Sequence, residues 1–198
     1  MRSVLRKSLA ALVASLLAFT LNTGVARGDG IDPGLRQDVA LMLRILAYDR
    51  NLDSRVKDGV VVVTIYDEEN ESSAEEARAI AETLRAFQET TQIAGHALTS
   101  RSIPFHSGAL EADYLESLGA TAIYLCGGLE GAFEELSELS RESDALSFTT
   151  REDAVRAGVA VGIVPKGESR GILVNLPSSR LEGANLDAAL LRHAEVIQ

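Results

Sequence analysis

The chain has no tryptophan and a single cysteine, Cys126, among its 198 residues. One thiol cannot close an internal disulfide, and it excludes zinc-ribbon and iron–sulfur frameworks, which need several. Aromatic residues make up only 5% of the chain, and positive charge is scarce: 19 Lys and Arg stand against 29 Asp and Glu, a formal charge of −10. A surface of that sign repels phosphate backbones and anionic lipid heads, so neither nucleic-acid binding nor direct membrane binding is expected. What the chain does have is apolar material. At 46% hydrophobic it can bury a core, and its length favours one domain of ordinary size.

The first residues have the three parts of a secretory signal. Arg2, Arg6 and Lys7 make a positive start, residues 8–21 form an apolar run, and Gly24-Val25-Ala26 offers a small-x-small cleavage site. The run is shorter than the roughly 20 residues a spanning helix needs. The expectation is a signal peptide over residues 1–26, cleaved on export to the periplasm, and a single α/β domain over residues 27–198. Without Arg2, Arg6 and Lys7, 16 basic residues face 29 acidic ones, a charge of −13.

Helix and strand signals alternate along that domain. Residues 38–48 place Val39, Leu41, Met42, Ile45 and Leu46 largely on one helical face. Residues 60–66 (VVVVTIY) and 120–126 (ATAIYLC) are continuous apolar runs, the mark of strands buried on both faces. Ser72 and Ser73, each followed three residues later by Glu75 or Glu76, predict a doubled capping box opening a helix to about Thr91. A short strand is predicted over 94–99, a polar loop over 100–109 and a helix over 110–118 stopped by Gly119. A further helix follows over 129–140, a strand over 145–148, and a brief helix capped by Thr149 and Thr150. Residues 159–164 and 171–176 flank a turn at Pro165-Lys166-Gly167-Glu168 and read as an antiparallel hairpin. A last helix is predicted over 186–196. The fold class expected is α/β: a three-layer, mostly parallel sheet flanked by helices, with an antiparallel C-terminal edge hairpin.

Candidate sites are few. The turn from Cys126 through Gly127, Gly128 and Gly131 follows a buried strand and opens a helix, where open α/β sheets place ligands. It matches neither a dinucleotide fingerprint nor a phosphate loop, and Glu130, Glu134 and Glu135 would repel a phosphate. It is either a tight turn that needs glycine or a site for a small neutral or cationic ligand. Asp67-Glu68-Glu69-Asn70-Glu71 lacks the spacing and central glycine of a calcium loop and reads as acidic residues favouring a helix start. His96, His106 and His193 are scattered, and none stands in a hydrolase context that would activate Cys126. Ile103 and Phe105, around Pro104 in the polar 100–109 segment, either fold back onto the sheet or protrude as partner-binding anchors with His106 beside them. No catalytic constellation, metal-ligand pattern or cofactor motif emerges. A protein without enzymatic activity and without a cofactor is expected.

The order of elements in the second half resembles the YfiR-like family of exported bacterial proteins. The similar stretches are residues 120–125 (ATAIYL), 145–149 (ALSFT), 158–163 (GVAVGI), 172–176 (ILVNL) and 190–197 (LLRHAEVI), with the opening helix at 39–48 fitting the family's first. The resemblance covers roughly residues 35–197. The family's Trp-Pro close to that first helix is absent here, and one cysteine carries over no disulfide-based control. The resemblance implies a periplasmic domain without known catalysis that binds a membrane-bound signalling protein, such as a diguanylate cyclase or a sensor kinase, and modulates it. It carries over no functional residues. The alternative is a single-lobe periplasmic small-molecule-binding protein; a homodimer is open under either reading.

Overall fold

The computed structural model describes residues 32–167 and 169–198. The expected signal peptide, with cleavage near Ala26, lies outside the described residues. Two helices come first, α1 (Pro33–Ala47) and the short α2 (Leu52–Arg55). The β-branched run then forms β1 (Val60–Tyr66), and strand alternation sends Val60 and Val62 into one buried cluster and Val63 and Ile65 into another. The chain continues through α3 (Glu71–Gln88), β2 (Gln92–Ile93), β3 (His96–Pro104), α4 (Ala112–Ser117) and β4 (Ala120–Leu125). A 3-10 turn (Glu130–Ala132) leads into α5 (Phe133–Glu142), followed by β5 (Leu146–Thr149), α6 (Glu152–Arg156), β6 (Val161–Lys166) and β7 (Ser169–Asn175). The chain ends with α7 (Leu176–Leu181), α8 (Ala188–Leu191) and β8 (Glu195–Ile197).

The strands make one eight-stranded sheet in the order β2-β3-β1-β4-β5-β6-β7-β8. The run from β3 to β6 is parallel throughout, whereas β2–β3 and β6–β7 pair antiparallel. Val39, Met42 and Leu46 of α1 and Ala77, Ile80 and Leu84 of α3 cover one face. Leu115 of α4, Phe133, Leu136 and Leu139 of α5, and Ala154 of α6 cover the other. This is the expected three-layer α/β arrangement. Each fully buried Ile or Leu contributes roughly 1.5–3 kcal/mol to holding it.

Several elements differ from the sequence expectation, each for a local reason. The first helix starts at Pro33, where the proline presets φ and Asp32 accepts from the Leu35 N–H at 2.8 Å. Helix α3 is capped by Asn70, not by Ser72 or Ser73: the Asn70 Oδ1 accepts from the Ser73 N–H at 3.2 Å. Ala94 and Gly95, at φ +50° and +91°, are the two-residue turn of a β2–β3 hairpin. The strand expected over 94–99 therefore begins at His96. It runs on to Pro104 because β1 offers a parallel partner along its whole length, from Val60 opposite Leu98 to Tyr66 opposite Pro104. Half of the expected 100–109 loop is thus strand.

Thr149 and Thr150 do not cap α6; the Thr149 hydroxyl instead accepts from the Arg151 N–H at 3.2 Å. Pro165 and Lys166 belong to β6, which narrows the hairpin turn. The expected helix over 186–196 is reduced to Ala188–Leu191, and Glu195–Ile197 pairs parallel with β7, Val196 opposite Val174. The hairpin is therefore inside the sheet, and β8 forms the edge. Helix α7 was not anticipated; Asn175 caps it by accepting from the Ser178 N–H at 3.1 Å.

Candidate functional site

The chain leaves β1 toward β3 on one side and returns through α4 to β4 on the other. Strand order therefore reverses at β1, and the loops after β1 and β4 diverge to helices on opposite faces, α3 and α5. Open α/β sheets place their ligands at such a reversal, in the crevice beyond the strand C-terminal ends. The 67–70 loop and the 126–131 turn flank that position here and meet where Gly128 packs on Asn70.

The floor of that crevice is polar and tightly bonded. Glu76, one turn into α3, turns away from its helix end: Oε1 accepts from the Tyr124 hydroxyl at 2.8 Å and Oε2 from the Gly127 N–H at 2.9 Å. These bonds tie α3 to the end of β4 and explain why no capping box closes on Ser73. The Ser73 hydroxyl accepts instead from the Asp67 N–H at 3.0 Å. Gly128 sits at φ +86°, and a Cβ there would lie 2.7 Å from the Asn70 Nδ2. Glycine is required by both backbone conformation and close approach. Burial, then the Glu76 charge, holds the Tyr124 hydroxyl well above its ordinary range.

Charged groups stand around this floor. Arg151, after β5, meets Glu130 of the β4 turn at 3.0 Å and Asp153 at 2.7 Å. The hydrogen bond from Arg151 holds the Asp153 carboxyl below its usual range. Glu68 of the β1 loop meets the His106 imidazole at 3.2 Å. Arg151 is thus a guanidinium held between two carboxylates, with its Nε and Nη2 both on Asp153.

The structure brings together Gly127, Gly128 and the 67–70 loop from the sequence candidates, and adds Glu76, Tyr124 and Arg151. Gly131 lies in the 3-10 turn with open space beside its Cα. Ile103 and Phe105 are half-buried and pack against the cluster beneath α4 and α5, and His106 is exposed beyond them. Cys126 is fully buried, and burial pushes its thiol well above the usual range, so no thiolate is available as a nucleophile. His96 pairs with Asp53 at 2.8 Å, away from the crevice. Among the described residues no group of three His, Cys, Asp or Glu side chains could hold a metal ion, and no helix is long and apolar enough to cross a membrane. Tyr124 and Glu76, separated by 48 positions, carried no linear signal of their pairing.

No family model and no curated protein matches the chain. Solved structures do. A conserved domain protein from Vibrio cholerae aligns with 83% of the chain at 12% identity and a TM-score of 0.56. An ABC domain in complex with L-Trp from Streptococcus pneumoniae aligns with 82% at 12% identity and a TM-score of 0.54. A substrate-binding protein with adhesive properties from Clostridium difficile, in a ligand-free open form, aligns with 75% at 12% identity and a TM-score of 0.53. The chain spans 60%, 60% and 57% of the length of these three proteins. The likeness is one of fold, and two of the three proteins are described by binding.

Proposed function

We propose that this chain is an exported small-molecule-binding protein whose single lobe takes a zwitterionic or cationic ligand, such as an amino acid, between the β1 and β4 loops. The observation that carries this reading is the reversal of strand order at β1, which brings the 67–70 loop and the 126–131 turn together at the strand C-terminal ends. A ligand carboxylate takes the place of Asp153 on the Arg151 fork, and Glu130, released from Arg151, together with Glu68 takes an ammonium group. The fold shared with an L-Trp-bound domain and a substrate-binding protein supports this reading better than modulation of a membrane-bound signalling protein. Export, and with it a periplasmic location, rests on the signal-like residues 1–26.

Thermal-shift and calorimetric titration of the chain with the common amino acids and small amines tests the proposal. At least one should raise the melting temperature, and Arg151→Met should weaken its binding about tenfold or more, the value of a charged hydrogen bond. A folded protein that none of these ligands shifts, or an Arg151→Met variant that binds as tightly as the parent, overturns it.

A further inference from the structure

A second cavity lies away from the crevice, between α1, β7 and α8. Leu41 of α1, the Tyr48 ring just past its end, Ile172 of β7 and Leu190 of α8 form its apolar walls, and among the described residues Arg44 and His193 are the only basic side chains lining it. Its volume is about 290 Å³. The walls are pinned to each other: the Asp187 N–H donates to the Tyr48 carbonyl at 2.9 Å, and Arg50 pairs with Asp187 at 2.8 Å. Leu41, Tyr48 and Ile172 are only half-buried against the core cluster, so the groove is open to solvent.

The charge pattern narrows what fits there. In a chain of net charge −10, no acidic side chain among the described residues lines this groove. Arg44 is exposed and makes no hydrogen bond or ion pair among the described residues. His193 supplies a ring N–H in either charge state. An apolar slot with a guanidinium and an imidazole and no carboxylate complements a molecule with an alkyl body and one anionic end. Its volume is at the low end of ligand cavities, which run from roughly 300 to 1,000 Å³, and suits a medium-length chain.

We infer that the α1–β7–α8 groove binds a straight-chain monocarboxylate, its alkyl body against Leu41, Tyr48, Ile172 and Leu190 and its carboxylate on Arg44 and His193. The inference does not rest on the amino-acid reading of the other site, and its failure would leave that reading intact.

Calorimetric titration of the full chain with octanoate, decanoate and decanol, below their aggregation limits, tests it. Decanoate should bind roughly fifteenfold tighter than octanoate, since each of its two further methylenes, once buried, multiplies affinity about fourfold. Decanol, which lacks the charge, should bind about tenfold more weakly than decanoate. Arg44 is exposed, so Arg44→Met should melt like the parent while losing that charge-dependent factor and binding decanol as before. Backbone amide shifts on decanoate addition should map to α1, β7 and α8. Absence of decanoate binding, equal binding of decanoate and decanol, an unaffected Arg44→Met variant, or shifts confined elsewhere would each overturn the inference.

Discussion

Glu182 is a carboxyl group with no exposed surface. The Ser147 N–H donates to it at 2.8 Å and the Ser147 hydroxyl at 2.6 Å, while the Ser147 Oγ accepts from the Ala160 N–H at 2.8 Å. Burial pushes its pKa up from 4.5 to about 8, against the pull of those hydrogen bonds and of the nearby Arg141 and Arg55. The folded protein therefore holds a proton that the unfolded chain releases. A folded value above the unfolded one contributes stability that is fully present below about pH 4.5 and is lost as pH rises to about 8. Within that window each pH unit costs up to about 1.4 kcal/mol. Glu182→Gln, which mimics the protonated acid, should flatten the decline. Urea midpoints measured for both proteins at intervals between about pH 5 and about pH 8 check it; parallel slopes would mean that Glu182 is ionised in the fold. Phe105 shows the complementary behaviour of an apolar residue in a polar stretch: its backbone N–H donates to the Tyr66 carbonyl at 2.8 Å and its ring turns onto the core.

At the scale of elements, the junction of α3 with the β4 turn depends on one side chain held in one place. Asn70 caps α3, and Gly128 leaves it the room to do so. Gly128→Ala adds a Cβ at a left-handed backbone position and drives it into the Asn70 amide. The variant should lose the cap, worth about 0.5–2 kcal/mol, together with about 1 kcal/mol or more of backbone strain. Gly131→Ala, with open space and no positive φ, is the comparison that should stay within about 0.5 kcal/mol of the parent. Equal midpoints for the two variants would disprove the constraint. The same junction marks the limit of what the sequence reveals. Strands β1 and β4 are legible because an unbroken apolar run with turn signals at both ends has few other solutions. Strand β8 is not, because residues 186–196 also fit a helical pattern and only β7, lying beside Glu195–Ile197, selects the extended form. The glycine turn after β4 was legible as a candidate site from its position behind a buried run. Its opposite wall was not, since the meeting of Glu76 with Tyr124 and Gly127 is a product of strand order and has no spacing in the chain.

Taken as a whole, residues 32–198 carry two cores on opposite faces of one sheet, and the strands β1, β4 and β5 contribute side chains to both or lie between them. Neither core can be dismantled without exposing the strands that wall the other, so the described domain should unfold in one cooperative step. Leu84 of α3 and Leu136 of α5 probe the two sides, at 0% and 1% exposure. Each Leu→Ala change should cost about 2–5 kcal/mol. Because the two side chains belong to separate clusters on opposite faces of the sheet, the double variant should lose the sum of the two within about 0.5 kcal/mol. Urea unfolding followed in parallel by far-UV circular dichroism and tyrosine fluorescence reads both quantities. Tyr48, Tyr66 and Tyr124 pack in the α3-side core and Tyr114 on α4 is exposed, so fluorescence reports chiefly that side while dichroism reports the backbone of both. Coincident transitions in the parent and in both single variants are expected, with unchanged slopes. Separate transitions, with Leu84→Ala moving one and Leu136→Ala the other, would show two stability units on either side of the sheet and would end the case for a single cooperative domain.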